Sequence, residues 1–193
     1  MHKDSQSNTE KMRSLERVEI EELVAKGRAA SEHEITKMLD ELEEKHPGVY
    51  RVIYGEPSDG IAMINKDMAN LYLDLSCDVI WVFNSAFGRL PEVENEENWV
   101  LDRLSQIDAE LKSITKEISM NSKFRKNLQE RFVKRSIETK IQLDLLQYLK
   151  EEVVKYASFK NARKRAISVT NNLLFVLVRL LGDLHYSVQT RNE

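Results

Sequence analysis

Residues 122–156 read SKFRKNLQERFVKRSIETKIQLDLLQYLKEEVVKY, a run with neither glycine nor proline. Phe124, Leu128, Phe132, Ile137, Ile141, Leu145, Leu149 and Val153 recur along it at spacings of four or five. Such a stripe marks one face of an amphipathic helix. The same lack of breakers extends outward. After Pro91, the remaining 102 residues hold no proline and a single glycine, Gly182. A sheet needs frequent turns, so this punctuation predicts long helices and an all-α chain.

Upstream of the run, Leu104, Ile107, Leu111, Ile114 and Ile118 alternate spacings of three and four, a heptad seam. The seam (97–119) and the 122–156 run are expected to fold back on each other as a long antiparallel hairpin spanning about 97–156. Further upstream, Leu71, Leu75 and Val79 to Phe83 make a helix that is apolar nearly all round. Asn65 caps its start, and such a helix belongs at the centre of a bundle. A charged helix is expected from about Glu10 to Lys45, ended by His46-Pro47-Gly48. Residues 49–62 (VYRVIYGEPSDGIA) combine β-leaning side chains with Gly55, Pro57 and Gly60, so a short irregular or extended segment is expected there. The last helix spans about 162–188 and is densest in apolar residues between Leu173 and Leu184. The expected architecture is one helical domain over 10–193, a bundle of about five helices, preceded by a disordered tail at 1–9.

Composition excludes several function classes. The chain has 193 residues, enough to bury a core without staples. Its one cysteine, Cys77, excludes an internal disulfide framework and a cysteine zinc site. Cys77 lies among apolar residues and reads as a small buried hydrophobe. No glycine-rich phosphate loop and no nucleophile elbow occur. No cofactor is expected. The N-terminus is polar, without a signal-peptide pattern, and the run Leu173–Leu181 contains Arg179 and is too short to span a bilayer. A cytoplasmic location without membrane insertion is expected.

Charge is unevenly distributed. Residues 1–99 carry 11 Lys+Arg against 21 Asp+Glu, and residues 100–193 carry 18 against 11. The candidate phosphate contacts are Lys123, Lys126, Arg131, Lys134, Arg135, Arg163, Lys164 and Arg165. Cations of this kind release counterions from a nucleic-acid backbone. Phe124, Phe132 and Phe159 lie beside them and would stack on bases, but the helical stripe assigns them to the core. The opposing reading is a solvated face laced by i,i+4 pairs, or a basic half that docks on an acidic one.

Acidic and histidine pairs offer further candidates. Asp74 and Asp78, with Asp67 seven residues before Asp74, put carboxylates on one helix face, as a Mg²⁺ site requires. No second acidic pair accompanies them, and an exposed stripe or partners for Arg179 is the simpler reading. Glu43 and His46 have Glu-x-x-His spacing in a single copy, which reads as a solvated helix end rather than an iron site.

Arg179 and His185 are separated by five residues in RLLGDLH. This short piece is similar to the arginine–histidine pattern of HEPN ribonucleases, although Leu180 stands where that family has a polar residue. The resemblance implies an all-α fold in which Arg179 stabilises phosphate charge and His185 moves the proton for attack by a 2′-hydroxyl. The competing reading is an Arg179–Asp183 pair and a surface histidine. The expected function is a non-enzymatic helical interaction or assembly protein. It would be an oligomeric subunit or adaptor whose contacts are protein partners or copies of itself. The alternatives are a helical subunit that binds RNA or DNA through the 120–165 surface, and the Arg179/His185 ribonuclease.

Overall fold

The computed structural model describes residues 12–114 and 121–189; the expected tail at 1–9 and the end of the heptad seam at Ile118 lie outside them. The described residues are mostly helical, with no strand among them. The helices are α1 (Arg17–Ala29), α2 (Glu32–Lys45), α3 (Pro47–Tyr54), α4 (Glu56–Ile64), α5 (Lys66–Phe87), α6 (Glu96–Ile114), α7 (Ser122–Glu138), α8 (Leu143–Ser158) and α9 (Ile167–Gln189). A 3-10 turn, Asn161–Ala166, leads into α9. The all-α class is as the punctuation predicts, but the helices are shorter and more numerous than five.

The centre is α5, whose start is capped by Asn65 accepting from the Met68 amide. It packs against α1, α4 and α9, with smaller contacts to α3 and α8. Tyr72, Leu75, Val79, Ile80, Val82, Phe83 and Phe87 are buried along it, and Leu174, Leu177, Leu180, Leu181 and Leu184 of α9 close over them. The contact between α1 and α5 is tight enough to need a glycine. A Cβ at Gly27 would stand 2.8 Å from the Trp81 ring.

Three boundaries differ from the sequence reading, each for a local reason. The single helix expected over 10–45 is broken at Ser31, which forms a capping box with Glu34. The Ser31 hydroxyl accepts from the Glu34 amide at 3.3 Å while the Glu34 carboxylate accepts the Ser31 amide at 2.8 Å, and this starts a new helix in place of continuing the old one.

Residues 49–62 are not irregular. They form α3 and α4, because Pro47 and Pro57 sit in first turns, where no amide is needed. The elbow between the two helices is at Gly55, where a Cβ would meet the Arg51 carbonyl at 2.5 Å. The amides of Gly48 and Val49 donate to the Glu96 carboxylate at 2.9 and 3.2 Å, so α6 caps α3.

The 122–156 run is cut at Thr139–Gln142. Lys140 adopts the left-handed conformation (φ 49°), and the Thr139 hydroxyl turns back to donate to the Arg135 carbonyl at 2.8 Å. The expected 97–156 hairpin is therefore confined to α6 against α7, while α8 turns away to pack on α9 and α1. Gln142 secures the corner. Its carbonyl oxygen accepts from the Leu15 amide at 2.9 Å, and its Nε2 donates to the Arg13 and Lys140 carbonyls at 2.8 and 2.7 Å. Met12 and Leu15 are buried beside it.

Candidate functional site

Two features concentrate chemistry: a buried charge centre under α7 and the outward face of α7 itself. The buried centre is built from α6, α7 and α9. Glu110 Oε1 lies 3.3 Å from Arg135 Nη1, and Arg135 Nη2 lies 3.3 Å from Asp183 Oδ2. Asp183 Oδ1 is 4.0 Å from Arg179 Nε. Arg179 Nη1 also donates to the Ser136 and Thr139 hydroxyls at 3.3 and 3.2 Å, and its guanidinium lies over the Phe132 ring. Two cations and two anions alternate, so the centre is balanced. Burial pushes the Asp183 and Glu110 carboxyls up and the Arg179 guanidinium down, and the neighbouring opposite charges resist each shift. Arg179 is the largest fully buried side chain in the core. The space beside it, between Thr139–Gln142 and Val178, Arg179 and Gly182, is too tight to admit a water.

His185 belongs to a different neighbourhood. It is six residues beyond Arg179, which rotates it about a third of a turn away on the helix. It is 1% exposed, with ring centroids 5.9 Å from Phe83 and 5.8 Å from Phe87. Neither ring nitrogen has a hydrogen-bond partner. Burial, with a smaller contribution from nearby His46, pushes its pKa down to about 4. The surface histidine weighed from sequence is therefore a core imidazole. Arg179 faces α7 while His185 faces α5, and the structure does not bring the two side chains together around an open cleft.

The eight candidate phosphate contacts divide. Lys123, Lys126, Arg131 and Lys134 are exposed on α7, and Lys164 and Arg165 are exposed on the 3-10 turn. Arg135 is held in the buried centre. Arg163 is buried too: its Nη2 donates to Asp67 at 2.7 Å, its Nη1 donates to the Tyr156 carbonyl at 3.2 Å, and its guanidinium lies 3.9 Å from the Tyr156 ring centroid. Phe124 and Phe159, assigned to the core by their spacing, are 56% and 73% exposed. Only Phe132 is covered, stacked on Phe175.

The acidic candidates already have cations or stand in solvent. Arg28 forks onto Asp78 at 2.7 and 3.2 Å, and Asp67 pairs with Arg163 and Lys160. Asp74 is exposed. Arg28, not Arg179, is thus the partner of Asp78. Among the described residues no group of three or more histidine, cysteine, aspartate or glutamate side chains is placed to hold a metal. His46, read as a solvated end, is buried, with Nε2 3.2 Å from the Leu90 carbonyl. Cys77 is half-buried, its Sγ 3.5 Å from the Tyr54 hydroxyl, and burial raises its thiol pKa. Trp99 packs on the core with Arg103 over its ring. The stretch Asn161–Ser187 is long and apolar enough to cross a membrane by composition, and 56% of its most apolar window is buried within the bundle.

The outward face of α7 is the feature the sequence stripe concealed. Leu128 is the one side chain of α7 buried among its hydrophobic residues, while Val133 and Ile137 are 55% and 65% exposed. Leu143, just past the corner, is 66% exposed. Lys126, Glu130, Lys134 and Glu138 wind along its solvent side at i,i+4 spacing, and Lys126–Glu130 and Lys134–Glu138 each lie 3.8 Å apart. In the sequence this face shows only as an i,i+4 charge row, a pattern that a solvated helix shares.

Compared with known proteins, the chain matches no family model, no curated protein and no solved structure.

Proposed function

We propose that the protein is a non-enzymatic helical interaction protein, a subunit or adaptor of a larger assembly, docking through the outward face of α7. The observation that supports it is the exposure of Val133 and Ile137 on a long helix that buries little of itself. Exposed β-branched side chains framed by charge resemble the core and rim of a protein contact. The fully buried Arg179 and His185 favour a structural role over catalysis. No membrane insertion and a cytoplasmic location complete the reading. A photo-crosslinking amino acid at Ile137 should give covalent protein adducts in cells, whereas one at exposed Lys37 on α2 should not. Absence of adducts from Ile137 and Val133 alike would sink the proposal.

One observation favours a nucleic-acid reading as the second choice. Phe124 and Phe159 are exposed beside Lys123, Lys126, Lys160, Lys164 and Arg165, where stacking and phosphate contact would combine. That reading requires labelled single-stranded RNA to bind with an affinity that falls steeply with salt, and to bind less steeply to a Lys126→Ala variant. A flat or absent signal at low salt would exclude it.

A further inference from the structure

We infer that the end of the bundle built from the α4–α5 junction and the turn between α8 and α9 docks on an anionic phospholipid surface. Met63 and Ile64, in the last turn of α4, stand 87% and 46% exposed, and Phe159, at the end of α8, stands 73% exposed. Lys160, Lys164 and Arg165 follow Phe159 and are exposed, and Lys66 is exposed close after Ile64. The two junctions belong to one end of the molecule. Asp67, in the first turn of α5, accepts from Lys160 at 3.3 Å and from Arg163 at 2.7 Å, and the 3-10 turn packs against both α4 and α5. Arg163 also donates to the Tyr156 carbonyl at 3.2 Å, so the turn is fixed in place.

This end is cationic although the whole chain has a formal net charge of −3. Residues 153–182 contain no aspartate or glutamate, and Asp67 is taken up by Arg163 and Lys160. A negatively charged surface therefore draws the molecule in with this end first. The kind of surface follows from the apolar side chains. At their exposures almost no protein flanks Met63 or Phe159, so they protrude and do not line a groove for a peptide. Phe159 could stack on a nucleobase, but Met63 and Ile64 have no ring face to offer one. A bilayer interface accepts all three, while lysine and arginine keep their charged heads at the level of the phosphates. A few apolar side chains and a basic patch are each a weak anchor, and together they give reversible binding. No helix needs to leave the bundle, so the protein lies on the membrane and does not cross it. The surface uses no residue of α7, leaving that face free for a protein partner.

The test is flotation of the full chain with phosphatidylcholine vesicles, with and without phosphatidylserine, over a salt series. Binding is expected only with phosphatidylserine and should weaken as salt rises. The variant Lys164→Glu/Arg165→Glu should weaken it by about tenfold or more, since each basic residue near such a surface is worth about fivefold. The variant Met63→Ser/Phe159→Ser leaves every charge in place and should also weaken it by about tenfold. All four side chains are exposed, and circular dichroism checks that the variants keep their helices. Absence of binding to phosphatidylserine vesicles at low salt overturns the inference, as does binding indifferent to either double variant. A protein that ignores the vesicles but binds polyuridylate, with the loss confined to Lys164→Glu/Arg165→Glu, carries an RNA surface here and no lipid one.

Discussion

Replacing Asp183 by alanine is expected to lower the unfolding free energy by about 3–5 kcal/mol, the usual cost of removing one partner from a buried ion pair. Asp183 is 2% exposed and stands between Arg135 and Arg179. Its loss leaves two guanidinium groups facing Glu110 alone, in a place water does not reach. The cost is therefore an uncompensated buried charge and not merely a missing contact. The same logic makes a contrasting case. The double replacement Arg179→Met/Asp183→Leu removes one cation and one anion together, keeps the Glu110–Arg135 pair, and should cost far less than Asp183→Ala alone. Urea melts of the three proteins check this. If the double variant proves as unstable as the single one, charge balance is not what the centre supplies.

The second large effect is on acid stability. The folded protein holds His185 near pKa 4, against an ordinary value of 6.5. Between those values the unfolded chain takes up a proton that the folded chain refuses. Stability therefore falls as pH drops from about 6.5 to 4, by as much as roughly 3 kcal/mol for this group. His46, also pushed down by burial, acts in the same direction. Asp183, Glu110 and Asp78 are pushed up by burial and act in the opposite direction. All four remain in a His185→Phe variant, so the difference between the two proteins isolates His185. Phenylalanine suits a site already lined by Phe83 and Phe87. The variant should show a flatter decline in stability from pH 6.5 to 4, and parallel curves would remove His185 as the cause.

The helical class and the central helix were legible because both rest on local signals. A breaker-poor chain cannot supply turns for a sheet, and Asn65 announces a cap. Ser31 and Glu34 carry an equally local Ser-x-x-Glu signal, hidden within a charged pattern that runs continuously across it. Pro47 and Pro57 look like interruptions in sequence, yet proline in a first turn starts a helix as readily as it stops one. The corner at Lys140 had no such marker. A left-handed lysine is held there by Thr139, Gln142 and the segment at Arg13–Leu15, and those contacts are made by folding rather than by neighbours in sequence. The candidate site divides along the same line. The positions of the cations were plain, but which of them are used up was not. Arg135 and Arg163 lose their freedom to Glu110, Asp183 and Asp67, residues on other helices. Phe124 and Ile137 looked like core because spacing gives a stripe without saying that the helix bearing it stands at the edge.

The Gln142 clamp sets an order of events during synthesis. Its bonds to Leu15 and Arg13 span 127 and 129 residues. The backbone leading into α1 has no clamp until the α7–α8 corner has left the ribosome, by which time most of the bundle has been made. α1 can pack on α5 before then, but Met12 and Leu15 of its lead-in stay uncovered until the corner is made. Closing so long a loop is slow compared with pairing neighbouring helices. Seating of the α1 lead-in is thus a late step in the birth of this protein, and a nascent chain stalled before residue 142 would carry an unfinished face.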